Sequence, residues 1–141
     1  GNYKAYFEFI ADSLKRYSSQ RDKQKGEAFV HGFTLAMTSQ NQFYRPISEL
    51  DNDGGYADIF LSPLCDIYKD MVDSYIIELK YCKTNTADEQ LQVLFKEASA
   101  QICRYANSDI VKESVKTTKL HKLVVIYRGA EMVMCEEVTE E

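Results

Sequence analysis

The residues able to do chemistry in this sequence concentrate in two short apolar segments. The first is Ser74-Tyr75-Ile76-Ile77-Glu78-Leu79-Lys80-Tyr81. Successive side chains of a strand point to opposite faces, so Tyr75, Ile77, Leu79 and Tyr81 share one face. Ile76, Glu78 and Lys80 share the other. Burying an acid and an ammonium in a largely apolar strand is costly unless they pair or bind something. On this segment alone, an exposed face carrying a harmless Glu–Lys pair is the plainer account.

The second segment changes the balance. In Tyr56-Ala57-Asp58-Ile59-Phe60-Leu61 the single charge, Asp58, lies in the middle of an apolar run. It can be a turn-proximal acid satisfied by the backbone of the Gly54-Gly55 loop. If the two strands are antiparallel partners, it can instead stand beside Glu78. Two adjacent carboxylates repel unless a proton or a cation sits between them. A hard divalent cation is the natural occupant, and Mg²⁺ needs only one or two protein carboxylates. Lys80 could then orient or deprotonate a metal-bound water, or hold a phosphate oxygen.

These strands need helices to cover them. Tyr3, Tyr6, Phe7, Ile10, Leu14 and Tyr17 recur at intervals of three and four, the stripe of an amphipathic helix. A polar stretch, Ser18 to Lys25, separates it from a second helix lined by Phe29, Phe33, Ala36 and Met37, with Glu27 and His31 on another side. Phe43 to Ser48 predicts a strand, with Pro46 placing it at an edge or in an irregular position. Asp51-Asn52-Asp53-Gly54-Gly55 is a turn signal leading into the Asp58 strand. Residues 62–73 form an excursion before the Glu78 strand. Thr86 with Glu89 resembles a capping box opening a long helix whose buried stripe is Leu91, Leu94, Phe95, Ala98, Ile102 and Tyr105. Val111 to Lys119 is a polar connection. Two closing strands, Leu120 to Tyr127 and Glu131 to Val138, flank Arg128-Gly129-Ala130. No repeat, low-complexity tract or linker interrupts the chain. Helix, helix, three strands, helix and two strands imply an α/β or α+β sandwich.

The 141 residues suit one domain, and 45% hydrophobic residues provide a real core without disulfide staples. No apolar run approaches the roughly 20 residues that span a bilayer, so no membrane partner is expected. The opening Gly1-Asn2-Tyr3 lacks both Met and a signal segment, and reads as the start of a piece cut from something larger. Cys65, Cys82, Cys103 and Cys135 lie 17, 21 and 32 positions apart, unlike a zinc knuckle or redox motif. They read as reduced, mostly buried thiols of a cytoplasmic protein. A net charge of −5 argues against tight non-specific nucleic-acid binding. It does not exclude a metal-dependent enzyme, whose ligands are themselves carboxylates.

Asp58 followed by Glu78-Leu79-Lys80 resembles the signature of the PD-(D/E)xK nuclease superfamily. The element order is similar to its restriction-endonuclease-like αβββαβ core: a mixed sheet flanked by helices, here with an extra N-terminal helix and spanning residues 1–141 as one domain. Glu27 matches the helical acid of many members. Gln101-Ile102-Cys103-Arg104-Tyr105 is similar to the Q-x-x-x-Y motif of a RecB-like branch. Glu27-Ala28-Phe29-Val30-His31-Gly32 and Gly55-Tyr56-Ala57-Asp58-Ile59 resemble the nuclease-like domain that closes Bacteroides-type AAA-ATPase-like proteins. Ala57 stands where the name-giving motif has Pro. The resemblance covers roughly residues 20 to 130 and implies phosphodiester hydrolysis with Mg²⁺ or Mn²⁺. Asp58 and Glu78 would be metal ligands with the Leu79 carbonyl, Glu27 a further ligand directly or through water, and Lys80 the catalytic lysine. Gln101 and Tyr105 would support the site or touch nucleic acid. The implied partners are nucleic acid, bound weakly by the domain alone, and an ATPase portion of the same polypeptide. A catalytically inactive interaction module on such an ATPase is the alternative.

Other residues carry plainer expectations. Tyr105 falls on the apolar stripe of its helix, whereas Gln101 lies off it. His31 reads as a partner of Glu27 or a half-buried packing residue. His121 has no evident partner. Lys112, Lys116, Lys119 and Lys122 fit a solvated loop, with a phosphate-contacting surface as the alternative.

Overall fold

The computed structural model describes residues 2–17, 26–50 and 56–139, and within them the side chains of all but Tyr17, Glu27, Glu49, Leu50, Tyr56, Ala57 and Asp58. Helices α1 (Tyr3–Tyr17) and α2 (Glu27–Thr38) precede strands β1 (Tyr44–Leu50), β2 (Tyr56–Pro63) and β3 (Asp73–Cys82). Helices α3 (Asp88–Ala106) and α4 (Asp109–Ser114) then lead to β4 (Lys119–Arg128) and β5 (Glu131–Glu137). The strands form one five-stranded sheet in the order β1-β2-β3-β4-β5. Neighbours are antiparallel except β3 and β4, which run parallel. A parallel neighbour requires a crossover, which α3 and α4 provide. This is a restriction-endonuclease-like α/β fold whose αβββαβ core starts at α2, with α1 as the extra N-terminal helix. Among the described residues no helix is long and apolar enough to cross a membrane.

The period-two pattern of β3 separates the two faces of the sheet. Ile77 and Leu79 join Ile59, Leu61, Leu123, Val125 and Tyr127 in a core closed by Phe7, Ile10 and Leu14 of α1 and Val30 of α2. Ile76 faces the other way, with Phe60, against Ile102 of α3 and Val111 of α4. Leu91 and Ala98 of α3 cover Val124 and Ile126 on that same side. A central strand buried on both faces carries apolar residues at nearly every position. A charge there is an exception that calls for a reason.

Several local expectations change. Tyr6 is 39% exposed rather than part of the buried α1 stripe, and its hydroxyl donates to the Met37 carbonyl. On α2 the buried residues are Val30, His31, Thr34 and Thr38, while Ala36 is exposed. Thr34 and Thr38 tolerate burial because their hydroxyls donate to helix carbonyls, those of Val30 and Leu35. The Thr86–Glu89 capping box does not form: Ala87 is the N-cap residue, with no side-chain cap. Instead Arg128 donates to the Thr86 carbonyl and the Asp88 carboxylate, tying the start of α3 to the end of β4. The stretch read as a polar connection from Val111 to Lys119 opens inside α4, which is anchored by fully buried Val111. Pro46 does lie on an edge strand, opposite Leu61. The turn expected over 51–55 and the polar stretch 18–25 lie outside the described residues. All four cysteines are free, and only Cys135 is buried.

Two polar features of the core have measurable consequences. The Tyr127 hydroxyl is buried without a hydrogen-bond partner among the described residues. An unmade buried hydrogen bond costs more than a made one returns, so Tyr127→Phe stabilises the fold by about 1 kcal/mol in urea unfolding. His121, expected to lack partners, has two: Nδ1 lies 2.7 Å from Glu137 Oε1 and Nε2 lies 2.7 Å from Asp73 Oδ1. Carboxylates only accept, so both contacts are hydrogen bonds when both ring nitrogens carry hydrogen. The imidazole also stacks on Tyr75 at 5.0 Å. The hydrogen bond from His121 holds the Asp73 carboxyl below its ordinary value despite some opposing burial. A carboxyl with a depressed folded-state pKa contributes stability above its unfolded value near 3.8, and loses it as pH falls through the lower folded value. Asp73→Asn therefore destabilises at pH 7 and has a much smaller effect near pH 2 in parallel unfolding titrations.

Candidate active site

The ladder between β2 and β3 sets the geometry. Leu61 pairs with Tyr75, Phe60 with Ile76 and Ile59 with Ile77. Extended by one position, this antiparallel register would bring Asp58 of β2 opposite Glu78 of β3. The described β2–β3 pairing ends at Ile59–Ile77, whereas β3 and β4 stay paired as far as Cys82 and Arg128. Glu78 thus stands where β3 has one paired neighbour left.

Glu78 is 0% exposed, and neither carboxylate oxygen has a hydrogen-bond partner among the described residues. Across β4 it faces Val124, and Lys80 faces Ile126, both fully buried. The Lys80 ammonium lies 3.3 Å from Glu78 Oε1 with its side chain 20% exposed. It also donates to Gln101 Oε1 at 3.1 Å. Lysine is a pure donor, so the amide oxygen is the end of Gln101 that must face it. Gln101 reaches this point because Ala98 and Ile102, both fully buried, seat α3 closely on the sheet.

The chemistry of this arrangement follows from what Glu78 lacks. Desolvating a carboxylate costs several kcal/mol, and one neighbouring ammonium without hydrogen-bond geometry offsets only part of it. Such a carboxylate is the type of oxygen donor that a hard divalent cation takes. Among the described residues no cluster of three or more His, Cys, Asp or Glu is arranged to hold a metal. The side chains of Asp58 and Glu27 lie outside the described residues. The backbone of Glu27 follows Gly26, where an added Cβ would come within 3.3 Å of the Tyr81 ring, next to Lys80 on β3.

The remaining candidates separate. Tyr105 packs with the Phe60, Ile76, Ile102 and Val111 cluster. His31 is buried, with Nε2 3.2 Å from the Ser48 hydroxyl oxygen. Lys112, Lys116 and Lys119 are exposed, but Lys122 is buried in β4, so the solvated cluster loses its fourth member. Two features were not anticipated. The Lys80–Gln101 contact had a signal in a polar residue lying off its helix's apolar stripe. A cavity of about 260 Å³ on the opposite face, lined by Tyr3, Tyr6, Phe43, Tyr44 and Tyr75, had only scattered tyrosines to announce it. Burial pushes the Tyr44 phenol up to about 12 there.

Comparison with protein families matches residues 25–137 to the profile of the PD-(D/E)XK nuclease superfamily. No curated protein and no solved structure matches the chain.

Proposed function

Because the chain belongs to the PD-(D/E)XK nuclease superfamily, we propose that it is a divalent-metal-dependent nuclease that hydrolyses phosphodiester bonds in nucleic acid. The observation that carries this reading is the fully buried Glu78 carboxylate, without hydrogen bonds, beside Lys80. Asp58, Glu78 and the Leu79 carbonyl would hold Mg²⁺ or Mn²⁺, with Glu27 as a further ligand directly or through water. The bound ion supplies Lewis acidity toward the scissile phosphate and a more acidic water. Lys80 presents its ammonium to the negative charge that develops on the phosphate oxygens. Gln101 holds Lys80 from α3, and Tyr105 keeps that helix seated.

With a net charge of −5, few phosphates can be neutralised, so binding to nucleic acid is weak and strengthened by the divalent ion. Residues 1–141 act as one nuclease-like domain within a longer cytoplasmic polypeptide. An ATPase portion of Bacteroides type, carried by that polypeptide, holds the substrate. A second reading draws on the 3.3 Å contact between Glu78 and Lys80: a cation of the chain itself already answers the acid, as in an inactive module of such an ATPase.

Incubating the protein with mixed single- and double-stranded DNA and RNA, with Mn²⁺ or with chelator, separates the two. The nuclease reading expects Mn²⁺-dependent cleavage that Glu78→Ala removes. Intact substrates in Mn²⁺, with no binding of either nucleic acid in Ca²⁺, would favour the module. Tight binding in chelator would contradict the expected weak, ion-assisted interaction.

A further inference from the structure

We propose that Gln101 is a positioning residue that receives the Lys80 ammonium when a divalent ion takes the Glu78 carboxylate, and so sets the metal affinity of the site. This rests on the nuclease reading above. In the structure one ammonium lies against two oxygens of different charge: it is 3.3 Å from Glu78 Oε1 as an ion pair without hydrogen-bond geometry, and it donates to Gln101 Oε1 at 3.1 Å. Before a metal binds, Lys80 is the counter-charge to an acid with no hydrogen bonds of its own among the described residues. A divalent ion against the same carboxylate repels that ammonium, so Lys80 must give way.

The direction in which it gives way is built in. Lys80 is only 20% exposed, hence water does not fully replace the lost contact. The Gln101 amide oxygen already accepts from Nζ, and α3 is held against the sheet by Ala98 and Ile102 on either side of it. The four-carbon stem of lysine rotates freely enough to exchange one acceptor for the other without moving the backbone. An amide suits the role chemically. It accepts a hydrogen bond from the ammonium without carrying a charge that would compete with Glu78 for the ion.

The test is a double-mutant cycle read by Mn²⁺ calorimetry on the protein without substrate, with thermal melts to confirm folding. Gln101→Met keeps the length of the side chain and removes the acceptor. It should weaken Mn²⁺ binding about five- to tenfold, because Lys80 then stays on Glu78. Lys80→Met should tighten binding severalfold by removing the competing cation. In the Lys80→Met background, Gln101→Met should change nothing, an outcome that a merely structural role for Gln101 would not produce. Gln101→Glu, which retains an acceptor, should bind at least as well as the parent. Unchanged binding in Gln101→Met, or an equal loss with and without Lys80, would overturn the proposal. If Gln101→Met does not fold, Lys80→Met alone decides it, since unchanged or weaker binding there also overturns it. Glu78→Gln distinguishes the two levels of the argument. If that variant binds Mn²⁺ like the parent, or the parent binds none, the metal-site reading itself fails and the proposal falls with it.

Discussion

Glu78→Gln is expected to raise the stability of the metal-free protein while abolishing its affinity for Mg²⁺ or Mn²⁺. Both effects have one cause. A carboxylate that is 0% exposed, with no hydrogen bond to either oxygen among the described residues, is held at the expense of the fold. Neutralising it relieves a desolvation penalty of several kcal/mol at the cost of one ammonium contact that lacks hydrogen-bond geometry, a net gain of about 1–3 kcal/mol. For a domain of this size that is a rise in Tm of roughly 3–10 °C. Lys80 keeps Gln101 and its access to solvent, so its own loss is small. Calorimetric melts in chelator, beside Mn²⁺ titrations of parent and variant, measure both quantities. A variant that melts lower than the parent in chelator would show Glu78 to be a structural partner of Lys80 rather than a ligand in waiting.

Lys80→Ala is expected to do the opposite. It leaves the Glu78 carboxylate buried without its neighbouring cation, so the metal-free fold loses about 1–3 kcal/mol. Mn²⁺ binding is retained and tightens severalfold, because lysine is not a ligand and a like charge has gone. Mn²⁺ therefore restores much of the lost stability. Cleavage falls by about a hundred- to a thousandfold, the scale of losing a donor aimed at developing negative charge. Opposite signs of the two stability changes in chelator, with opposite effects on metal binding, are a combined signature that an ordinary surface ion pair does not produce. Equal Mn²⁺ binding by the Glu78 and Lys80 variants would show that the site is wrongly assigned.

Much of this arrangement was legible in the sequence because it is written in short-range periodicity. The alternation in Ser74 to Tyr81 places Glu78 and Lys80 on one face wherever the segment is a strand, and the two apolar clusters divide it in that way. The order of helices and strands gave the sandwich for the same reason. What escaped the sequence depends on contacts between distant segments. His121 finds Asp73 and Glu137 only because β3 and β5 flank β4, which no local pattern announces. Helix α4 spans six residues, too few to display a helical period, and its one fully buried anchor is Val111. The Thr86 side chain does not cap α3, whose N-cap residue is Ala87, and Arg128 from the far end of β4 donates to the Thr86 carbonyl and the Asp88 carboxylate there. Lys122 reads as a solvated lysine by composition yet lies in a strand covered on both faces. The Lys80–Gln101 contact needs the packing distance between α3 and the sheet, a tertiary quantity set by the small Ala98.

The central claim is that Glu78 and Asp58 share one divalent ion on the face of the sheet that carries Lys80. Crystals soaked in Mn²⁺, with anomalous diffraction collected above the manganese edge, test it most directly. The expected result is a single strong anomalous peak within coordination distance of both carboxylates and of the Leu79 carbonyl oxygen. An anomalous map empty at Glu78, with its carboxylate still against the Lys80 ammonium, would contradict it.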